Sequence, residues 1–394
     1  MNPLRSTRMR RNLWIGLSVS ALGASAAALL GFGEQAAPAT YVVAAYNDLG
    51  MHCMQNDFSQ MMILPPFNTL HAQVIRRGGE PDIMTSGVTV TYELPGNTHS
   101  SDKTNFWAHA QALLGAAVPP DVGLAGFGMT GTMTYDPTRH DYGATGIPVT
   151  PINDDGTENP YPLALVTARV GTAVIGQTQA VAPVSWEMSC NLCHDTPGES
   201  TATTILKAHD KLHATNLINS QPVMCASCHA DNALGAPGQP GVSNLSAAMH
   251  GAHASRMGQV SLTNECYACH PGVRTTCQRD VHTSRGMSCN DCHVSMAAVG
   301  NPARNPWVDL PRCGDCHQRA EFEFEQPGTR YRDSTGHGGV QCMTCHGSPH
   351  AMGPATTATD NAQAVRLQGH AGVLNTCTVC HTSQPSEAFE HKRD

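Results

Sequence analysis

One chemical motif occurs seven times in the second half of the chain: two cysteines separated by two residues, with a histidine directly after the second. Two thiols at this spacing can each bond to one vinyl group of a porphyrin, and the adjacent imidazole then lies beneath the iron as its first axial ligand. The motifs are Cys190/Cys193/His194, Cys225/Cys228/His229, Cys266/Cys269/His270, Cys289/Cys292/His293, Cys313/Cys316/His317, Cys342/Cys345/His346 and Cys377/Cys380/His381. The pattern predicts seven covalently attached haem c groups.

Zinc binding and redox-active disulfides are the alternatives for a pair of cysteines at this spacing. Structural zinc sites join such pairs two by two, whereas the motif count here is odd. Neither alternative requires a histidine after every pair. The regular histidine therefore favours haem over both.

Each haem iron has a second axial position, and its occupant decides between electron transfer and substrate chemistry. Eight further histidines lie among the motifs, and we predict that they supply the second ligands: His209, His213, His250, His253, His282, His337, His350 and His370. Methionines beside or within motifs are the competing ligands, but they are too close to their own motif to reach the far face of that haem. A haem iron ligated by two histidines has a low reduction potential and no open coordination position for a substrate.

Two histidine pairs have helical spacing. His209 and His213 are four residues apart, and His250 and His253 are three apart, so each pair is expected on one face of a helix. Such a pair can serve two haems that lie on either side of it. His391, in the charged segment 390–394, is expected to be solvated; a ligand to a haem of a neighbouring subunit is its alternative.

Two of the sixteen cysteines, Cys53 and Cys277, lie outside the motifs. In an oxidising compartment two such residues suggest a disulfide, which here would tie the N-terminal segment to the haem array. Whether the two sulfur atoms are close enough to bond to each other cannot be judged from the sequence. The neighbouring His52 is interpreted as a loop histidine or as a ligand to the nearest haem.

The chain divides by composition into three segments. Residues 1–39 contain four arginines, an uncharged stretch at 13–33 and an A-x-A cleavage site at 37–39, which together predict an export signal. An uncleaved membrane anchor is the alternative. Residues 40–186 are predicted to form a β-rich, haem-free domain, and residues 187–394 a haem domain.

Period-two alternation in residues 40–186 predicts strands. The candidate strands are residues 41–46, 71–76, 88–94, 129–135, 163–170 and 173–184. This number of short strands favours an all-β, sandwich-like domain. One short helix is predicted at 103–114, with Asp102 as its cap.

The haem domain is predicted to consist of loops and short helices with little regular structure. Only 5% of all residues are aromatic and 14% are charged, so a large protein-only core would be difficult to build. Porphyrins would contribute the missing apolar surface. The formal net charge of −8, to which haem propionates would add, argues against nucleic acid as a partner.

The seven motifs and the interspersed histidines resemble those of multihaem c-type cytochromes from metal-respiring and other anaerobic bacteria, over residues 189–381. The resemblance implies an exported protein, in the periplasm, at the outer membrane or outside the cell. It also implies electron transfer to other redox proteins or extracellular acceptors. Some members of this family form homo-oligomeric, haem-lined filaments.

Three functions follow from these features. The first is an electron conduit in which no residue acts as an acid, base or nucleophile. The second is a multihaem oxidoreductase for nitrite, hydroxylamine or a sulfur compound, which requires one open haem; no motif here ends in the lysine that would support it. The third is a filament-forming structural or conductive subunit.

Overall fold

The computed structural model describes residues 40–319, 324–326, 328–387 and 391. The predicted export signal lies outside the described residues. The described residues belong to one compact unit. Strands dominate its N-terminal part, and short helices, 3-10 turns and loops make up most of the remainder.

Thirteen strands are present in the described chain. They are β1 Tyr41–Asn47, β2 His52–Cys53, β3 Met61–Met62, β4 Asn68–Arg76, β5 Asp82–Ile83, β6 Thr89–Glu93, β7 Thr130–Thr132, β8 Thr134–Asp136, β9 Asp141–Ile147, β10 Leu163–Val170, β11 Ala173–Val181, β12 Val184–Ser185 and β13 Val223–Met224. One sheet has the order β1-β4-β9-β8, with β5 also on β4, and a second has the order β11-β10-β6-β7. Neighbouring strands in both sheets are antiparallel.

The two sheets share one hydrophobic core. Val43 and Val74 come from the first sheet, and Tyr92 and Val166 come from the second. The alternation found in the sequence explains the second sheet, since in β6 Val90 and Tyr92 are buried while Thr89 and Glu93 are exposed. All the fully buried members of this core lie between Val43 and Val184. The β-rich segment thus has a core of its own.

Seven α-helices are described. They are α1 Phe106–Leu114, α2 Thr201–His213, α3 Leu245–His253, α4 Cys289–His293, α5 Met296–Val299, α6 Cys342–His346 and α7 Ala358–Gln368. Side-chain caps explain where the longer ones begin: Ser200, Asn244 and Thr357 each accept a hydrogen bond from the third backbone N–H of their helix. None of the helices in the described residues is long and apolar enough to cross a bilayer.

The helix predicted at 103–114 is shorter than expected. It begins at Phe106, after Asn105 rather than after Asp102. The preceding residues are held in a turn, in which the N–H of Lys103 donates to the carbonyl of Ser100 at 3.0 Å. Asn105 does not cap the helix, because its side-chain oxygen accepts from the N–H of Phe58 at 2.9 Å.

Two backbone pairings attach the helical segment to the β-rich segment, and a third pairing lies within the β-rich segment at its end. That third pairing joins the parallel strands β12 and β2, with Ser185 opposite Cys53. Strand β13 runs parallel to β3, and Gly78 forms an isolated bridge with His381, the histidine of the last motif. The loops of the β-rich segment therefore help to position the motif residues.

Candidate cofactor-binding site

Each cysteine–histidine motif folds into a single helical turn. The motifs at 289–293 and 342–346 form α4 and α6, and the other five form 3-10 turns. In the first motif the N–H groups of Cys193 and His194 both donate to the carbonyl of Cys190, at 3.2 and 2.9 Å. A helical turn places residues i and i+3 on one side, so both thiols of a motif can meet the same porphyrin edge.

Every motif histidine faces a second histidine. The pairs, with the distances between ring centres, are His194–His253 at 6.3 Å, His229–His209 at 6.3 Å, His270–His250 at 6.1 Å, His293–His350 at 6.2 Å, His317–His282 at 6.1 Å, His346–His391 at 5.8 Å and His381–His337 at 5.9 Å. Seven pairs with so narrow a range of separations point to one common function.

The separation fits a metal ion held between two imidazoles. An imidazole nitrogen binds a transition metal at roughly 2 Å, and the ring centre lies about 1 Å further back, so two rings on opposite sides of one ion are roughly 6 Å apart. The described residues contain no group of three or more histidine, cysteine or acidic side chains that could hold a bare ion. Haem iron needs only two protein ligands, because its porphyrin supplies the other four.

Three of the motif imidazoles have the protonation state that iron requires. Burial lowers the pKa of His270, His293 and His346 to about 4, so these rings are neutral at neutral pH. Neutral imidazole is the form that binds metals.

Hydrogen bonds orient several of the rings through Nδ1. Nδ1 of His250 lies 2.8 Å from the carbonyl of Ser246, and that of His282 lies 2.9 Å from the carboxylate of Asp280. Nδ1 of His229 lies 2.8 Å from the carbonyl of Ser243. Donation to these oxygens leaves the lone pair on Nε2, which is then available to a metal.

A large cavity connects most of the histidine pairs. Its volume is about 2010 Å³, and residues of six of the seven pairs line it. The exception is the pair of the second motif, since neither His209 nor His229 is part of the lining. Genuine voids in proteins are small, so an apolar space of this size indicates room for bound groups.

The thiols of the second motif also lie apart from this cavity, unlike those of the third to seventh motifs. Neither Cys225 nor Cys228 is part of the lining. The sulfur of Cys228 instead accepts a hydrogen bond from the hydroxyl of Ser227 at 3.8 Å. The backbone carbonyl of Cys228 accepts a hydrogen bond from the N–H of Gln239 at 2.8 Å. Sulfur is a weak acceptor, so this bond would not prevent a thioether from forming. The prediction that Cys228 holds haem is therefore supported by its helical turn and by the histidine pair of its motif, and not by the cavity.

The structure separates the candidate second ligands into two sets. His209, His250, His253, His282, His337 and His350 each face a motif histidine. His213 instead lies 4.8 Å from the ring of His209, and His370 is exposed with its Nδ1 near the carbonyl of Ala371. Neither is opposite a motif histidine in the described part of the chain.

His391, which was expected to be solvated, faces His346 and lies 6.2 Å from the ring of Phe324. It is partly buried rather than fully exposed. Its separation from His346 along the chain is long, and no local spacing links the two. No periodic signal in the sequence could have identified this pairing.

Contacts between motif segments give the neighbour of each pair. Helix α3 carries His253, opposite the first motif, and His250, opposite the third. Its first N–H, from Leu245, donates at 2.9 Å to the carbonyl of Ala230, which follows the second motif. The first three motifs therefore lie around α3, and the first is also joined to the third by the N–H of Ser189, which donates to the carbonyl of Ala268 at 3.0 Å.

The remaining motifs follow one another in chain order. Cys266 of the third motif contacts Asn290 of the fourth, with 3.6 Å between sulfur and amide oxygen. His282, which faces the fifth motif, lies just before the fourth. Phe324 contacts both His317 and His391, and so links the fifth pair to the sixth. His337, opposite the seventh motif, lies just before the sixth.

The other candidate features have local partners. Cys53 and Cys277 are both free thiols that line the cavity. His52 is buried, with Nε2 2.9 Å from Asp48, and faces no motif histidine among the described residues.

No known protein family, curated protein or solved structure matches this chain. The account of the site therefore rests on the motifs and on the geometry of the paired imidazoles.

Proposed function

We propose that this protein is a seven-haem c-type cytochrome that carries electrons along a chain of closely spaced, bis-histidine haems. The observation that supports it best is the set of seven facing imidazole pairs, one for each motif. The multihaem helical segment would be joined to a sandwich-like β-domain. When bound, the haems would supply reversible one-electron chemistry at iron.

The polypeptide would act by fixing ligands and spacing. The two facing imidazoles of each pair would hold one haem iron between them, which would leave no position for substrate and would give that iron a low reduction potential. The hydrogen bonds that Nδ1–H donates to carbonyl and carboxylate oxygens would hold the rings in place during electron transfer and strengthen Nε2 as a ligand. This arrangement supports a carrier better than a reductase with an open haem.

The contacts between motif segments suggest the path. The first three motifs lie around α3 and the third to seventh follow one another in chain order, so the haem of the seventh motif would be one end. The second pair lies outside the shared cavity, which agrees with a terminal position. Electrons would enter at one end and leave at the other, toward other redox proteins or an extracellular acceptor.

Attachment of haem c takes place after export, so the proposed function requires the export signal predicted in residues 1–39. Purified from an exporting host, the protein should contain seven haems per chain by pyridine haemochrome assay. Its spectrum should be entirely low-spin, and carbon monoxide should not bind to the reduced protein. Fewer haems would contradict the interpretation of the motifs, and a high-spin fraction of one in seven would favour the oxidoreductase.

A further inference from the structure

Cys53 and Cys277 are the two cysteines that haem attachment does not use, and the fold brings their segments together. Cys53 is in β2, directly opposite Ser185 of β12. The hydroxyl of Ser185 lies 2.7 Å from that of Thr275, two residues before Cys277. This hydrogen bond places the 275–277 loop against β12, the strand that pairs with β2.

Arg279 connects the same two segments from the other side. Its side chain is completely buried, and Nη1 donates to the carbonyl of Gly50 at 2.6 Å and to the carbonyl of Cys277 at 3.1 Å. Asp360 holds the rest of the guanidinium with bonds of 2.6 and 2.8 Å. One guanidinium nitrogen of Arg279 therefore holds the backbone at Gly50 and the backbone at Cys277 close together.

The thiols also adjoin a proposed iron ligand. The N–H of Arg279 donates to the carbonyl of His350 at 2.8 Å, and the ring of His350 is 6.2 Å from that of His293. A side-chain hydrogen bond joins Cys277 to the imidazole of His350. The lining of the shared cavity includes Cys53, Cys277 and His350.

We propose that Cys53 and Cys277 form a reversible dithiol–disulfide couple that exchanges electrons with the haem array beside His350. The inference rests on the proposed function, because the haems serve as the electron acceptor. On oxidation the two S–H bonds break and one S–S bond forms. Two protons leave, and two electrons reduce two ferric haem irons to the ferrous state. Reduction of the disulfide is the reverse.

The location explains why the array would be the partner of this couple. Both thiols line the cavity that the haems would fill, and both are only partly accessible. External thiols and disulfides exchange only with sulfurs that they can reach. The fourth motif also lies in the middle of the proposed path, so the couple would be able to store two electrons there.

The test is a potentiometric titration of the purified holoprotein. Samples at each potential are acid-quenched, denatured, alkylated with iodoacetamide, digested and measured by mass spectrometry. The fourteen motif cysteines are thioethers in the holoprotein and do not react with iodoacetamide. Only Cys53 and Cys277 can therefore be alkylated. Both should switch together between alkylated and cross-linked forms, with a tenfold change in ratio per roughly 30 mV.

Coulometry provides the second measurement. Wild-type protein should take up two more electrons than it has haems, whereas Cys53→Ser should take up as many electrons as haems. Thr276→Ser, a conservative change at the exposed neighbour of Cys277, should behave like wild type. If Cys53→Ser does not accumulate, the titration of wild-type protein is sufficient alone.

Two results would overturn the inference: thiols that stay free at every potential, or a cross-link that persists when all haems are reduced. Either would leave a seven-haem carrier intact. Absence of haem from the purified protein would instead refute the proposed function.

Discussion

At the scale of single residues, the histidine that faces each motif histidine is decided by the path of the chain in space rather than by position in the sequence. His209 and His213 lie on the same helix, yet only His209 faces a motif histidine in the described chain. His370 lies close to the seventh motif along the chain but is exposed. His391 is far from the sixth motif along the chain and faces it.

His391→Ala should open one iron in seven. It removes the one imidazole that faces His346 among the described residues and leaves that iron with one protein ligand, so it should become high-spin and bind carbon monoxide when reduced. Magnetic circular dichroism would measure the fraction of high-spin haem, and titration would measure the carbon monoxide bound. Both should equal one per seven haems.

His370→Ala and His213→Ala are the matched controls, because each removes a histidine that faces no motif in the described residues. Both variants should keep the wild-type spectrum. Carbon monoxide binding in His370→Ala, together with none in His391→Ala, would show that a different residue closes the sixth haem.

Much of the site could be predicted at this scale, and the limit has a physical cause. The thiols and the histidine of each motif are neighbours in one turn, so local spacing identifies them. His250 and His253 follow from helical periodicity. The His346–His391 contact depends on the tertiary path of the chain, which no local pattern records. The position of Cys228 outside the shared cavity has the same kind of cause, since its motif is identical in form to the others.

Glu187 should stabilise the protein in a pH-dependent way. Its side chain is only 7% exposed and accepts N–H groups from the 272–275 loop, including Val273 at 2.8 Å. Burial would raise its pKa, but hydrogen bonds from Thr275, Val273 and Arg274 lower it to about 2. Against an ordinary value of 4.5, the difference corresponds to about 3 kcal/mol of stability at neutral pH.

Because the folded-state pKa is the lower one, this stabilisation is complete above roughly pH 4.5 and is lost as the pH falls toward 2. Glu187→Gln should thus lower the thermal midpoint at pH 7, and the gap from wild type should close in acid. Glu158→Gln is the control, since Glu158 is more exposed and an ion pair such as it forms with Arg274 contributes little. An equal difference in thermal midpoint between wild type and Glu187→Gln at pH 7 and at pH 3 would contradict the lowered pKa of Glu187.

At the scale of elements, α3 is the helix on which the array depends most. It presents His250 to the third motif and His253 to the first. The Nδ1 atoms of both rings lie near backbone carbonyls four residues earlier, at 2.8 and 2.6 Å. One helix therefore sets two ligands and their separation.

Ala252→Pro should open two irons at once. A proline at this position removes a backbone N–H and clashes with the preceding turn, at a cost of about 3 kcal/mol, so both imidazoles should lose their orientation. The carbon monoxide stoichiometry should be two per seven haems, against one for His253→Ala. Ala252→Ser, a change at the same exposed position, is the control and should bind no carbon monoxide. If Ala252→Pro opened only one haem, the two imidazoles would be held independently of each other.

Element boundaries show the same division between local and tertiary causes. The alternating stretch at 88–94 contains β6, and the stretch at 163–170 is β10, because side-chain burial on one face is visible in residue types. Strand β9 was missed, since Gly143 and Gly146 interrupt its pattern. It forms because β4 and β8 pair with it on both edges.

At the scale of the whole molecule, the two segments differ in how they fill their interiors. The buried core of the β-rich segment is contiguous and consists of protein side chains. The buried cluster described in the helical segment contains only Met257, Ala268 and Met296, next to a cavity of about 2010 Å³. Such a space is stable only when it is filled, so the helical segment should depend on its haems for folding.

Protein produced without haem attachment should therefore fold only in part. The described strands up to β12 should persist, while the helices after Cys190 should lose their structure, because apolar burial there is too small to offset chain entropy. Limited proteolysis should leave a fragment of about residues 40–186, and circular dichroism should show strand without helix. The holoprotein is the control and should resist the protease throughout residues 190–380. A haem-free protein with the same resistance would show that the helical segment has a sufficient core of its own.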